Sequence, residues 1–368
     1  MARSRPSPWV VLAIVIGGVY AALAIVWVTQ QPPSVGADSV QLRRAGERLL
    51  AGEALYRDPE GVAFLAGGLD LYYGPPALAL AVGVPLSLVG EPLVRLLTFP
   101  IVWSVSVLTT LGVGRALSLS WEELAALFVG LCLCFALFAT ATLGATSLIV
   151  LLGGMVGLLA VARGHDRALG IAIGLMGALR VYPLALLLPL LLAGRWSTTR
   201  WALVTAGLTS LAALAVTGVE TYETYAHLLA ALVGTDTGSS NLALTGFLRP
   251  ATIVGASVLL LISAWQLRHS SAHTRTIAWG LGLAGMLWSP PVVWDHYLTA
   301  LLPLMLALIV ATGRASFGLL PALLAPSAWF AGVVLYGFPI VVATAHLTGF
   351  LGVPRQTPTG LTPRRGSS

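Results

Sequence analysis

Stretches of about 20 apolar residues recur from one end of this chain to the other. A run of that length, wound as a helix, matches the ~30 Å hydrocarbon core of a bilayer. Few other constraints narrow a fold so far, because a chain in lipid must satisfy its own backbone hydrogen bonds and does so as helices or a closed barrel. Composition agrees. Of 368 residues, 57% are hydrophobic and 9% charged, where a soluble domain carries about 25% charge. Mean hydropathy is +0.89. These values exclude a soluble enzyme, a nucleic-acid-binding module and a disordered protein. The expectation is an all-α polytopic membrane protein. Residues 1–350 should form a single transmembrane domain, followed by a polar, disordered tail at 351–368.

The net charge of +6 arises without lysine, since all 20 basic residues are arginine. They are scattered over short loops and the two termini, the usual positive-inside distribution, so no nucleic-acid partner is expected. Cys132 and Cys134 lie two apart in one apolar run without a second ligand pair, which argues against a metal site or a disulfide.

Residues 9–28 carry no charge and follow Arg3 and Arg5, which predicts a first span with its basic end in the cytoplasm. Residues 30–72 then hold six of the 14 acidic residues and form the first outer loop. Within it Leu42, Ala45, Leu49 and Leu50 share one helical face, with Arg43, Arg44, Glu47 and Arg48 on another. That pattern predicts a helix starting near Asp38 and lying flat at the membrane surface. Further apolar runs at about 73–90, 93–113, 121–141, 143–162, 167–194, 201–219, 249–267, 276–293, 297–313 and 316–350 bring the expected total to 11 or 12 spans. The run at 167–194 is read as one span, which keeps the alternation but leaves Arg163 and Arg167 outside, against the charge pattern. A break into two short spans near Arg180 and Pro183 would bring them inside but upset the parity of the earlier helices. Arg195/Arg200, Arg268/Arg275 and Arg314 mark inner loops, which puts the 220–248 loop and the 288–296 segment outside with Asp38.

Chemistry-bearing residues concentrate in those outer segments. Asp38 leaves the first span, and Tyr56 and Tyr73 frame the chain's return to the membrane. Asn241 and Arg249 precede a span, and Asp295 and His296 follow Trp294. Several have plain structural readings. Asp38 and Gln41 stand at capping-box spacing, and Tyr72, Tyr73, Trp288 and Trp294 suit an interfacial aromatic belt. Arg180 is harder to explain so, because an arginine in mid-span costs about 2.5–3.5 kcal/mol on insertion scales. It calls for an anion or a polar cavity. An outer carboxylate acting as general base, an arginine and a histidine holding a phosphate, and aromatic rims together suit a lipid-borne phosphate substrate. No nucleotide-cradling Gly-rich loop occurs.

The motifs, in order, are Asp38 after the first span, Leu-Ala-Gly-Glu-Ala-Leu-Tyr (50–56), Tyr-Gly-Pro-Pro (73–76), Gly-x-x-x-x-x-Arg-x-x-Pro (174–183), Asn-x-x-Leu-x-x-x-x-Arg (241–249) and Ser-Pro-Pro-Val-Val-Trp-Asp-His-Tyr (289–297). In that order they resemble glycosyltransferase family 87, the polyprenyl-phosphate-mannose-dependent mannosyltransferases. The resemblance covers roughly residues 9–315. It implies a GT-C membrane fold in the plasma membrane. It also implies inverting transfer from a polyprenyl-phosphate sugar to a glycolipid or glycan acceptor outside the cytoplasm, with Asp38 as base. Arg180, His296, Asn241, Arg249, Tyr73, Tyr56 and Asp295 are the candidates for donor-phosphate or substrate contact. This chain has Arg180 where relatives usually have lysine, and Gly144-Ala145-Thr146-Ser147 where they have Gly-Gln-x-Asn. With no Asp-x-Asp pair, no metal or other cofactor is expected. The rival reading is a transporter or lipid-linked-sugar flippase, which would move its substrate without covalent change.

Overall fold

The computed structural model describes residues 7–30, 34–57, 72–233, 249–269, 272–290, 293, 295–324 and 328–347. Among them there is no strand, and the chain is an all-α polytopic membrane protein. Four helices are long and apolar enough to cross a bilayer alone, at Pro8–Trp27, Glu91–Ala116, Trp196–Thr217 and Arg249–His269. The pair Trp121–Cys132 and Phe135–Leu143, bent by 61° at its junction, makes a fifth if the two halves are counted as one span. The remaining apolar runs are shorter or broken helices, and two of them do not run as the sequence suggested.

The first is 73–90. It forms a short apolar helix, Pro76–Ser87, whose middle is a π-helical turn at Ala79–Gly83. It lies antiparallel along the helix Ala37–Ala51. Tyr56 donates to the Gly74 carbonyl at one end (2.8 Å), and Arg43 Nε donates to the Val89 carbonyl at the other (2.7 Å). Between them Gly46 and Gly83 meet backbone to backbone, and a Cβ on Gly46 would overlap the Gly83 carbonyl. The run is apolar because Ala77, Leu78 and Ala79 are buried between that helix and the bundle. It is not a separate span.

The second is 167–194. The Asp166–Leu179 helix stops before Pro183, whose ring would strike the Leu179 carbonyl if the helix continued. Arg180 takes an extended conformation (φ −154°, ψ 92°), and Tyr182–Leu192 runs back as a 3-10 turn and a short helix. Gly177 leaves the room that the returning Leu184 side chain needs. Both ends of the run therefore lie together. Arg195 Nη1 is 3.5 Å from Asp166 Oδ1, and the Arg167 guanidinium sits 4.3 Å over the Trp201 ring. The single span expected for 167–194 is instead a hairpin with Arg180 at its apex. This removes the conflict with the charge pattern, since Arg163 and Arg167 now share one end with Arg195, Arg200, Arg268 and Arg275. The apex lies about 21 Å from that end, at 1.5 Å per residue over the 14-residue helix.

After the hairpin, Trp196–Thr217 runs parallel to Asp166–Leu179. Gly170 faces Thr198 and Ala202, and Gly174 faces Ala202 and Ala206. Small residues four apart let two backbones meet where lipid offers no hydrophobic drive for association. The segment expected as a loop at 220–248 begins as a helix, Val219–Val233. The first helix lines the outside of the bundle, with Ile14, Leu23 and Ile25 exposed and Gly17 set against Phe128.

Gly174→Leu should lower stability by about 1–3 kcal/mol, the usual cost of overpacking a tight contact. Gly207, in the partner helix, has open space where a Cβ would stand. Gly207→Leu is the control, and thermal unfolding in detergent should separate the two.

Candidate functional site

Asp38 is the second residue of the Ala37–Ala51 helix, not its cap. Gly36 holds the cap position at φ 70°, and no side chain caps the helix. The amphipathic face differs in detail from the sequence reading. Leu42 and Ala45 are buried and Leu49 packs against the same cluster, but Leu50 is exposed and Arg48 is buried. One side of this helix is therefore covered by protein.

The residues around Asp38 are fixed on several sides. The Gly36 amide donates to the Thr142 carbonyl at 2.7 Å, and Ser39 Oγ donates to the Gly144 carbonyl at 3.3 Å. Arg95 donates to the Val35 carbonyl at 3.0 Å and is itself held by Glu91, which also pairs with Arg44. The Thr140–Ser147 elbow, which supplies the Thr142 and Gly144 carbonyls, also holds His296. Thr140 Oγ1 lies 3.1 Å from the His296 carbonyl and 3.2 Å from Ser147 Oγ. Thr299 Oγ1 donates to the same His296 carbonyl at 2.9 Å. Asp38 and His296, over 250 positions apart in sequence, are thus referred to one short rigid segment.

Arg180 completes the constellation from the hairpin apex. Asp38 feels the charges of both His296 and Arg180. Burial raises the Asp38 carboxyl above the ordinary carboxylate range, and His296 and Arg180 oppose that rise. A carboxylate so placed is a better proton acceptor than one in water. The Arg180 guanidinium lies 5.0 Å from the Tyr297 ring centre and 5.9 Å from that of Tyr182. Those two rings stack at 5.9 Å, and His296 meets Tyr297 edge-on at 4.8 Å. Arg180 Nε and the Tyr182 hydroxyl are buried without a hydrogen-bond partner among the described residues. Donors left over in this way fit an anion with spare acceptor oxygens.

The remaining candidates are placed as follows. Tyr56 stacks on Tyr72 (6.0 Å) and on Tyr225 (5.9 Å), and Tyr73 packs beside them, so these rings form one wall of the site. Arg249 lies at the start of its helix and donates to the Ser289 and Pro290 carbonyls at 2.6 and 2.9 Å, which ties down the Ser-Pro-Pro segment. Asp295 opens the 3-10 turn that carries His296. Asn241 lies outside the described residues. Sequence reasoning missed Tyr182, Tyr225 and Tyr297 as site residues, and Thr140 and Ser39 as supports. Tyr225 had a readable signal, because Tyr222, Tyr225 and Leu229 fall on one face of the 219–233 helix.

A family model for glycosyltransferase family 87 matches residues 72–272, more than half of the chain. The chain belongs to glycosyltransferase family 87. Comparisons with curated proteins and with solved structures each found no match. The family match covers Arg180, the tyrosine wall from Tyr72 to Tyr225, and Arg249. Asp38 and His296 lie outside it and join the site by the contacts above. As a family 87 protein the chain is a membrane glycosyltransferase, and the next question is what its site transfers.

Gly144 is the tightest point of the support. Its φ of +68° disfavours any side chain, and a Cβ there would overlap Ser39 Oγ. Gly144→Ala should cost about 1–2 kcal/mol from the backbone conformation alone, plus the clash. Adding Ser39→Ala should return only the part of the clash made with Ser39 Oγ, because Thr98 Cγ2 also stands 2.5 Å from that Cβ, as read by thermal unfolding of the single and double variants.

Proposed function

We propose that this glycosyltransferase moves a sugar, mannose by preference, from a polyprenyl-phosphate donor to a glycolipid or glycan acceptor on the extracytoplasmic face of the plasma membrane. The observation that carries the reading is the meeting of one buried carboxylate, Asp38, with Arg180 and His296, where Arg180 retains an unused donor. In a GT-C-type inverting transfer, Asp38 takes the proton of the acceptor hydroxyl as that oxygen bonds to the anomeric carbon. The bond from that carbon to the phosphate oxygen breaks on the opposite side, and polyprenyl phosphate departs. Arg180 and His296 meet the charge that grows on the leaving phosphate. On this reading Arg180, with His296 beside it, supplies the charge stabilisation that a metal ion gives in other transferases.

Charge distribution supports the orientation. Outer-loop arginines are matched by acids, with Arg43 on Glu47 at 2.7 Å and Arg44 and Arg95 both on Glu91. The other end carries Arg163, Arg167, Arg195, Arg200, Arg268 and Arg275, with Asp166 3.5 Å from Arg195. An unbalanced basic end marks the cytoplasmic side. Nucleotide sugars are confined to the cytoplasm, so a donor carried on lipid phosphate suits a site on the other side.

Membranes given labelled polyprenyl-phosphate mannose should yield a labelled glycolipid or glycan. Asp38→Asn should fold and lose about 10²-fold or more in turnover, the usual scale for removing a general base. Movement of the label across the membrane without covalent transfer would support the transporter reading instead.

The raised Asp38 carboxyl sets a pH dependence. A base works only when deprotonated, so kcat/KM should rise with pH through a limb lying above the ordinary carboxylate range. Arg180→Gln removes a charge that favours the carboxylate, and should move that limb to still higher pH while weakening donor binding. Arg180→Lys keeps the charge and should move it less. An unmoved limb in Arg180→Gln would separate Arg180 from Asp38.

A further inference from the structure

The basic end of the molecule, remote from Asp38, holds a second polar cluster that the transfer reaction does not use. Arg195 follows the returning arm of the hairpin and stands at the cap position of the Trp196–Thr217 helix. Arg275 lies in the Ala272–Leu287 helix and close enough to Arg195 for the two charges to repel. Ser263 Oγ donates to the Ala278 carbonyl at 2.7 Å and sets the register of that helix against Arg249–His269, which brings Gln266 and Arg275, each three residues nearer the connection, level with one another. Thr198 stands one turn beyond Arg195 on the same helix.

Each of these side chains carries a buried polar atom without a hydrogen-bond partner among the described residues: Arg195 Nη1, Arg275 Nε, Thr198 Oγ1 and both Nε2 and Oε1 of Gln266. Gln266 is 1% exposed and Thr198 0%. The nearby acid is Asp166, 3.5 Å from Arg195 Nη1 and 39% exposed. One half-solvated carboxylate does not offset two arginines. A buried amide with neither end bonded costs stability unless a ligand completes it. Beside the cluster the surface is lipid-facing, with Leu191, Leu192 and Trp196 exposed on one side and Leu261 and Trp265 on the other.

From this cluster we infer that Arg195, Arg275, Gln266 and Thr198 form a binding site for a hydroxyl-bearing phosphate ester at the cytoplasmic end of the helices. The arginines and Thr198 meet the phosphate oxygens, and the Gln266 amide accepts from a ligand hydroxyl while donating to the phosphate. The exposed leucines and tryptophans beside it point to an anionic phospholipid headgroup as the source, with its acyl chains along the 182–192 and 249–269 helices. The helix start at Trp196 adds its own positive field.

Full-length protein in detergent is titrated with phosphatidylglycerol, phosphatidylcholine or inorganic phosphate, and read by native mass spectrometry and thermal unfolding. Wild type should retain phosphatidylglycerol through delipidation, unfold at a higher temperature with it, and ignore phosphatidylcholine. Arg275→Gln and Gln266→Leu should each weaken that binding by about ten-fold or more, the worth of one charge-assisted or buried hydrogen bond. Arg268→Gln removes the same charge from the same end but from an exposed position, and should bind as wild type does. Gln266→Glu gives the arginines a resident carboxylate. It should fold at least as stably as wild type yet bind no anion, which guards against variants that simply misfold. Stabilisation by inorganic phosphate alone, lost in the same variants, would support the site with a soluble source. Equal binding of phosphatidylglycerol by wild type, Arg275→Gln and Gln266→Glu would overturn the proposal, as would no binding by any of them.

Discussion

An arginine inside an apolar run is the constraint on which this structure turns. Arg180 pays the insertion cost of a charge at membrane depth, about 2.5–3.5 kcal/mol on biological scales, and the fold around it is arranged to make that position tenable. The helix ends one residue earlier because Pro183 will not continue it, and the chain folds back instead of crossing. The guanidinium then rests against the faces of Tyr182 and Tyr297 and within the field of Asp38. Tyrosines suit this place because a ring fills apolar space while its hydroxyl serves the polar centre.

Position in the site is governed by the backbone as much as by the side chains. Asp38 has no capping role to hold it, so its placement depends on the neighbours Val35, Gly36 and Ser39, each tied to a different partner. The Thr140–Ser147 elbow takes two of those ties and also bears the His296 turn through Thr140. On the proposed mechanism, Asp38 as base and His296 toward the phosphate are referred to one short segment, which keeps their separation while substrates come and go.

The sequence carried the class of the protein plainly, because 20-residue apolar runs leave a chain little choice. It carried the outer-loop helix as well, through the alternation of Leu42, Ala45 and Leu49 with arginines. It misled where apolarity was taken for crossing. Apolarity reports burial or lipid contact, and says nothing of direction. The 73–90 run is apolar because its first half is buried against a neighbouring helix, and the 167–194 run because each arm of a hairpin buries one side in the bundle and exposes leucines such as Leu175, Leu188 and Leu192 on the other. The arginines held the missing information. Arg163 and Arg167 conflicted with a single span, and the charge pattern was the sounder guide. Tyr182, Tyr225 and Tyr297 were hidden for another reason, since tyrosines near helix ends look alike whether they face lipid headgroups or a site. Their roles follow from tertiary contacts that no local pattern encodes.

The account stands on Asp38 and its partners facing outward while the arginine-rich end faces the cytoplasm. Single cysteines replacing exposed Glu53, just after the Asp38 helix, and exposed Ser197, at the basic end, test this in intact cells. The background replaces the two native cysteines, Cys132 and Cys134. A membrane-impermeant thiol reagent should label position 53 directly and position 197 only after permeabilisation. Labelling of 197 from outside, with 53 protected until the membrane is opened, would contradict an extracytoplasmic transferase and require a donor available in the cytoplasm.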